Sequence, residues 1–207
     1  MDTTKSTKIL ELSYPLNSPI ITQKFGNIDP MYTNMGMKGH SGIDFYAANG
    51  TPIYATHDGL ASYQVDGGGG HGVVVISHDK FNIDNVDTKI KTVYWHMCDP
   101  LKQLNFESPI ADKTGFVPVN NGDLVGYADN TGLSTGSHLH FALKPVEEGE
   151  YAGTWMNTQV GNGYFGAIDP MPYFDKSTPI QINLMKKSIS IMGQLIHLLQ
   201  LLLDKVK

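Results

Sequence analysis

The chain carries a His138-Leu139-His140 triplet behind a glycine-bearing approach, Thr131-Gly132-Leu133-Ser134-Thr135-Gly136-Ser137. On a β-strand, residues two apart point to the same face, so both imidazoles look into one space and Leu139 into a core. Imidazole is the commonest protein ligand for zinc and titrates near neutral pH, which suits the pair to metal binding or proton transfer. Two further segments offer matching groups. Gly39-His40-Ser41-Gly42-Ile43-Asp44-Phe45 holds a histidine and a carboxylate, with Ile43 and Phe45 flanking Asp44 as in a strand. Fully extended, His40 to Asp44 would span roughly 13 Å, too far for one ion, so the chain must bend at Gly42. Thr92-Val93-Tyr94-Trp95-His96-Met97 reads as another strand, and alternation sets Tyr94, His96 and Cys98 on one face. Two His and one Asp around zinc would leave a site of net charge +1 and one open position for water. A zinc hydrolase also needs a proton acceptor. The His-Glu-x-x-His helix is absent, so a spare histidine would have to serve. Each motif alone is weak, since a histidine between apolar neighbours is more often a hydrogen-bonded core residue, and Cys98 a plain buried thiol.

The elements that must position these groups are mainly strands. A hydrophobic content of 41%, with 22 Gly and 11 Pro, favours an antiparallel β domain over a helical bundle. Strand patterns fall at 20–22, 52–55, 60–65, 73–76 and 123–128, and from His138 to Leu143, where Lys144-Pro145 is expected to end the strand. Segments 26–38 and 82–87 read as loops, 100–119 as an irregular connection, and 147–176 as a long ordered loop wrapping one side. Four glycines at 67–70 favour no single backbone conformation, so a mobile loop is expected there; no Lys-Ser/Thr follows, which excludes a phosphate loop. Residues 1–12 read as a loose tail, 13–176 as the domain.

Residues 178–207 change character. Ile182, Ile189, Ile196 and Leu203 repeat every seven residues, followed three later by Met185, Met192, Leu199 and Val206. This is an a/d heptad on an amphipathic helix. Leu184, Ile191, Leu195, Leu198 and Leu202 widen the apolar arc to roughly half the circumference, more than a two-stranded seam needs. A homo-oligomeric bundle of three or more copies is the favoured reading; packing against the chain's own domain and lying on a membrane surface are the others. Net charge is −5 with only 15 Lys and Arg and no basic stripe, which argues against a nucleic-acid partner. The single cysteine excludes an internal disulfide framework. Neither a transmembrane segment nor a secretory signal peptide is evident.

With these residues in view, the sequence resembles the lysostaphin-type zinc metallopeptidases, which cleave peptide cross-links of bacterial cell walls. The likeness rests on His40-x-x-x-Asp44, on Tyr94-x-His96, and on Gly132-x-Ser134-Thr135-Gly136-x-His138-Leu139-His140-Phe141, in the family's order. Phe25-Gly26, Gly42-Ile43-Asp44, Pro52-Ile53-Tyr54-Ala55 and Gly122-Asp123-Leu124-Val125-Gly126 extend it over roughly residues 14–144. The resemblance implies an antiparallel β-sandwich, barrel-like and of the duplicated hybrid motif type, with a peptide groove. It implies His40, Asp44 and His140 as ligands of one Zn2+ per chain, and His96 and His138 as the catalytic pair, without dividing their labour. Ser137, Ala142 and Asp123 stand where the family often has Pro, Glu and Gln; none is a ligand. The function implied is hydrolysis of peptidoglycan cross-links, at a glycine bridge or a D-alanyl–diaminopimelate link. A non-catalytic wall-binding module and a zinc peptidase on a non-wall peptide are the alternatives. With the tail helix and the lack of a signal peptide, the resemblance points to a phage-type lysin or virion-associated enzyme. His57, His71, His78 and His197 match no ligand position; His71, beside the glycine run, is the one placed to line a groove.

Overall fold

The computed structural model describes residues 8–99, 110, 115–150 and 154–204, with side chains through residue 201. The expected connection at 100–119 therefore lies largely outside the described residues. In chain order the elements are β1 (Ile21–Gln23), α1 (Pro30–Asn34), β2 (Ile43–Tyr46), β3 (Pro52–Tyr54), β4 (Gly59–Val65), β5 (His71–Ser77), β6 (Phe81–Ile83), β7 (Val86–Trp95), β8 (Val117–Val119), β9 (Leu124–Tyr127), β10 (His138–Glu148), β11 (Trp155–Asn157) and α2 (Pro179–Asp204).

One antiparallel sheet runs β1-β2-β10-β7-β5-β4-β8, with β6 added to β7 and β11 to β10; β3 and β9 form a separate ribbon. The sheet is mainly β and antiparallel as expected, but it is open, which corrects the barrel-like expectation. Its ends are three-residue strands, one carrying a register shift at Ile21/Gln23 and the other Pro118, whose missing N–H suits an edge. Registry aligns Phe141 with Tyr94 and Tyr94 with Val73, so one face of the sheet carries the core. Tyr94, Phe45, Phe141 and Leu139 are fully buried there, each contributing about 1.5–3 kcal/mol of apolar burial. The Tyr94 hydroxyl is not stranded: it accepts the Thr56 backbone N–H at 2.9 Å.

Several local expectations are revised. Residues 8–12 are no loose tail: Leu10 and Leu12 are buried, with the Leu12 N–H donating to the Tyr173 carbonyl at 2.7 Å. The Leu10-Glu11-Leu12 alternation is a strand-like seal over the core. The glycine run at 67–70 is an organised turn, because one Asp66 carboxylate oxygen accepts both Gly68 and Gly70 N–H at 2.8 Å. Segment 82–87 is a β-hairpin rather than a loop; Asp84 and Asn85 take φ of 50° and 66° between paired Ile83 and Val86, a two-residue turn without the usual glycine. β10 continues through Lys144-Pro145 to Glu148. The Pro145 carbonyl faces Thr158, so its nitrogen also points away from β7, at a position between the end of the β2 pairing and the start of the β11 pairing, and no β7 ladder bond is lost. A short helix, α1, interrupts the loop expected at 26–38, with Asp29 capping the Met31 N–H at 2.8 Å and Pro30 in the first turn.

Among the described residues, the hydrogen bonds of α2 to the domain lie at its start. The Ile180 N–H donates to Asn17 Oδ1 at 3.0 Å, Asn183 to the Gly122 carbonyl at 3.4 Å, and Lys186 to the Asn121 carbonyl. Beyond that Leu184, Ile189, Met192, Leu195, Ile196 and Leu199 are all exposed, which removes self-packing as the use of this face. No helix among the described residues is long and apolar enough to cross a membrane.

Candidate metal centre and groove

β2 and β10 lie antiparallel with His140 opposite Asp44 and His138 opposite Tyr46. Opposed residues share a face, so the alternation read from the triplet brings His138, His140 and Asp44 to one side while Leu139 is fully buried on the other. His40 reaches the same point through the bend. A Cβ on Gly42 would lie 2.4 Å from the Phe141 carbonyl oxygen and 2.8 Å from His140 Cε1, so only glycine lets the bend press against β10. The His40 backbone is clamped on both sides, its N–H to the Asn27 carbonyl at 2.9 Å and its carbonyl from the Gly26 N–H at 2.8 Å.

Three ligand-type atoms then converge. His40 Nε2 lies 2.9 Å from His140 Nδ1 and 3.1 Å from Asp44 Oδ1, and His140 Nδ1 lies 3.0 Å from the same oxygen. His40 Nδ1 faces the Lys24 carbonyl at 3.2 Å, so that nitrogen carries the proton and Nε2 presents a lone pair. A lone pair therefore faces a carboxylate oxygen inside a site where His40 is 2% exposed. Such a triangle is short of protons and calls for a cation. Zinc bound tetrahedrally at about 2.0–2.2 Å holds its ligand atoms roughly 3.3 Å apart, close to the spacing here. The nitrogen, nitrogen, oxygen donor set fits that ion. Burial would raise the Asp44 carboxyl, but the imidazoles of His140 and His40 beside it outweigh that and hold the group well below the usual carboxylate range, fully ionised. Burial pushes the His140 imidazole down, toward the neutral form that binds metal.

His96 and His138 stand beside the triangle, their ring centroids 4.6 Å apart. His96 does not share a face with Tyr94 as alternation expects. β7 ends at Trp95, and His96 takes φ of 63°, which swings its ring from the core side to the side of His140. A left-handed non-glycine residue costs about 1–3 kcal/mol and needs support. Thr131 provides it: its carbonyl accepts His96 Nδ1–H at 2.7 Å, and its hydroxyl donates to the Met97 carbonyl at 2.7 Å and accepts the His71 N–H at 3.1 Å. His138 Nδ1 likewise faces the Gly136 carbonyl at 2.8 Å. Both rings are thereby fixed with bare Nε2 atoms inward, and His138 Nε2 lies 3.7 Å from Asp44 Oδ1. Burial lowers His96 to about 4, against the pull of the Thr131 carbonyl, so its ring is neutral at pH 7.

The five histidine and aspartate groups open into a groove of about 610 Å³. Three of its walls were not singled out from the sequence. Tyr32, on α1, stacks on His40 with centroids 5.3 Å apart and bonds Gln23 Oε1 at 2.7 Å. Trp95 packs over Gly72 of β5, where a Cβ would come within 2.1 Å of its ring. Phe165, in another left-handed residue with φ of 52°, stands 54% exposed at the rim. An aromatic residue in a polar stretch was the available signal for Tyr32 and Phe165, and the step from Tyr94 to the next position of the strand for Trp95. His71 is not in this groove; it turns to Tyr63 and to Asp99, whose Oδ2 lies 3.6 Å from its Nε2. His57 is buried against Thr92 Oγ1 at 3.0 Å.

The DD-carboxypeptidase/endopeptidase Mpg of Neisseria meningitidis serogroup B is 31% identical over 105 residues, covering 51% of this chain and 20% of that protein. The glycyl-glycine endopeptidase ALE-1 of Staphylococcus capitis is 28% identical over 111 residues, covering 52% and 25%. The chain thus spans a quarter or less of the length of these relatives. Lysostaphin from Staphylococcus simulans shares the fold, with a TM-score of 0.52 at 22% identity over 81% of this chain and 55% of that one. The family model described as Peptidase family M23 matches residues 38–157, a stretch that holds His40, Asp44, His96, His138 and His140. On that match, the chain belongs to peptidase family M23.

Proposed function

We propose that this chain is a zinc-dependent endopeptidase that hydrolyses peptide cross-links of bacterial peptidoglycan. The observation that carries the reading is the proton-poor triangle of His40, Asp44 and His140 next to two inward-facing Nε2 lone pairs, on the floor of an open groove. The relatives named for endopeptidase activity support the substrate class. His40, Asp44 and His140 hold the metal, which supplies Lewis acidity for a peptide carbonyl and acidifies water. The chain's own groups do the rest. A peptide lies along the exposed face of Trp95, which excludes water from one side of the bond. His138 or His96 accepts the proton of the attacking water at Nε2 and returns it to the leaving amine. The Nδ1–H bonds to Gly136 and Thr131 keep both rings in the tautomer that can accept that proton. The protonated ring then faces the charge that develops on the carbonyl oxygen.

Turbidity of purified cell walls tests the proposal, with wild type, His138→Ala and chelator-treated protein in parallel. Clearing by wild type alone establishes a metal-dependent wall hydrolase, and the new ends name the bond. Metal-loaded wild type that clears no wall overturns it, and leaves a wall-binding module or a non-wall peptide.

We also infer that α2 joins copies of this chain. Its a/d heptad runs along a face that the domain leaves bare, and the same repeat on a second copy is the complement it fits.

A further inference from the structure

The groove does not end at the histidines. Along β10 the open face of the sheet carries His138, His140, Ala142 and Lys144; along β7 it carries Trp95, Val93 and Lys91. Lys144 lines the same groove as His140, Ala142, Val93 and Trp95. In the β7–β10 register Lys144 stands directly opposite Lys91, and like charges so placed repel. Among the described residues neither lysine has an ion-pair partner, and Lys144 spends one proton on the Phe165 carbonyl at 3.0 Å. That bond ties the amine to the left-handed Phe165 that walls this end of the groove.

We propose that Lys91 and Lys144 form an anion subsite that takes a free carboxylate of the substrate peptide, three or four residues from the bond to be cut. The proposal rests on the endopeptidase reading and narrows it to stem peptides bearing a free carboxylate, in preference to all-glycine bridges. The spacing follows from the strand: four residues from His140 to Lys144 cover about 13 Å, the reach of about four residues of extended peptide. Burial, and then the neighbouring Lys91 charge, lower Lys144 to about 8. The negative charge of a carboxylate between the two amines would offset both effects.

The test uses the full chain and a cross-linked stem peptide in two forms, with its carboxylates free and with them amidated. Wild type should favour the free form in kcat/KM by about tenfold, the worth of one charge-assisted hydrogen bond, and the ratio should shrink at higher salt. The double variant Lys91→Gln/Lys144→Gln should lower that ratio to within about threefold of unity. Lys144→Arg should retain it, since the charge remains. Thermal melts check that each variant is folded. A role in holding Phe165 alone would change both substrates equally and leave the ratio unmoved. A double variant with the wild-type ratio overturns the subsite while the endopeptidase reading stands. If wild type cuts neither peptide, that reading fails, and calorimetric binding of the same two peptides decides the subsite. A preference for the free form that the double variant abolishes supports it, and equal affinities in wild type overturn it.

Discussion

Two histidines two residues apart in the same strand are assigned opposite duties, and a pair of substitutions separates them. His140 offers Nδ1 to the triangle; His138 stands outside it with Nε2 3.7 Å from Asp44 Oδ1. His140→Ala is expected to weaken zinc binding by more than about 100-fold, beyond the loss seen when an outer partner is removed. His138→Ala is expected to keep stoichiometric zinc and to lose about 10²–10⁴ in kcat, the usual worth of a proton-transfer group. Metal content by atomic emission, beside turnover on purified walls, measures both. A His138→Ala protein with full turnover would refute the role given to it. At this scale the sequence was generous. The His-x-His alternation and the Asp44 strand position are period-two signals, and the fold keeps both. His96 is the exception: strand alternation puts it on the core face, and only its φ of 63° brings it to the site. A single left-handed histidine has no periodic signature. The acceptor that holds its ring, the Thr131 carbonyl, is a backbone atom that no residue type announces.

Elements deliver these residues by close approach, and Gly42 shows how little room there is. Gly42→Ala is expected to destabilise the protein by about 1–3 kcal/mol, the range for overpacking, and to reduce zinc affinity as the bend is forced off His140. Differential scanning calorimetry with and without zinc measures the two losses; an unchanged melt in both would refute the packing argument. A second element-level device is the His57 bond that ties β7 to the turn before β4. Burial lowers His57 to about 4 from 6.5 in a free chain. As pH falls the unfolded chain therefore takes the proton first. The stabilisation is complete above about 6.5 and drains away as pH drops toward about 4, by about 3 kcal/mol at most. His57→Gln should melt lower than wild type at pH 7 and lose less between pH 7 and 4.5; parallel slopes would sink the assignment. The long strands were legible because their apolar residues alternate. The short elements were not: α1 is five residues, too few for a helical period, and Asp84-Asn85 turns a hairpin without glycine.

At the scale of the whole molecule, an open sheet with one core face and one groove face leaves α2 as the feature that the domain does not explain. The heptad was plain in the sequence, but its occupant depends on what surrounds the helix, which periodicity does not contain. The structure narrows it by leaving Ile189, Met192, Ile196 and Leu199 of the a/d seam 52–63% exposed. Leu184, Ile191, Leu195 and Leu198 are exposed as well, on a second seam about 110° around the helix at 100° per residue. A two-stranded coil would cover the first seam and leave the second in water. Each large side chain left out forgoes about 1.5–3 kcal/mol of burial, so the pattern favours helices with two neighbours each, a bundle of three or more. Light scattering on the eluting protein should give at least three times the 22.7 kDa chain mass. The variant Ile189→Lys/Ile196→Lys, in the full chain, should return to one chain mass with its domain melt unchanged. Wild type at 22.7 kDa would overturn the bundle. Lipid-vesicle binding by a monomeric wild type would then assign the same apolar arc to a membrane surface.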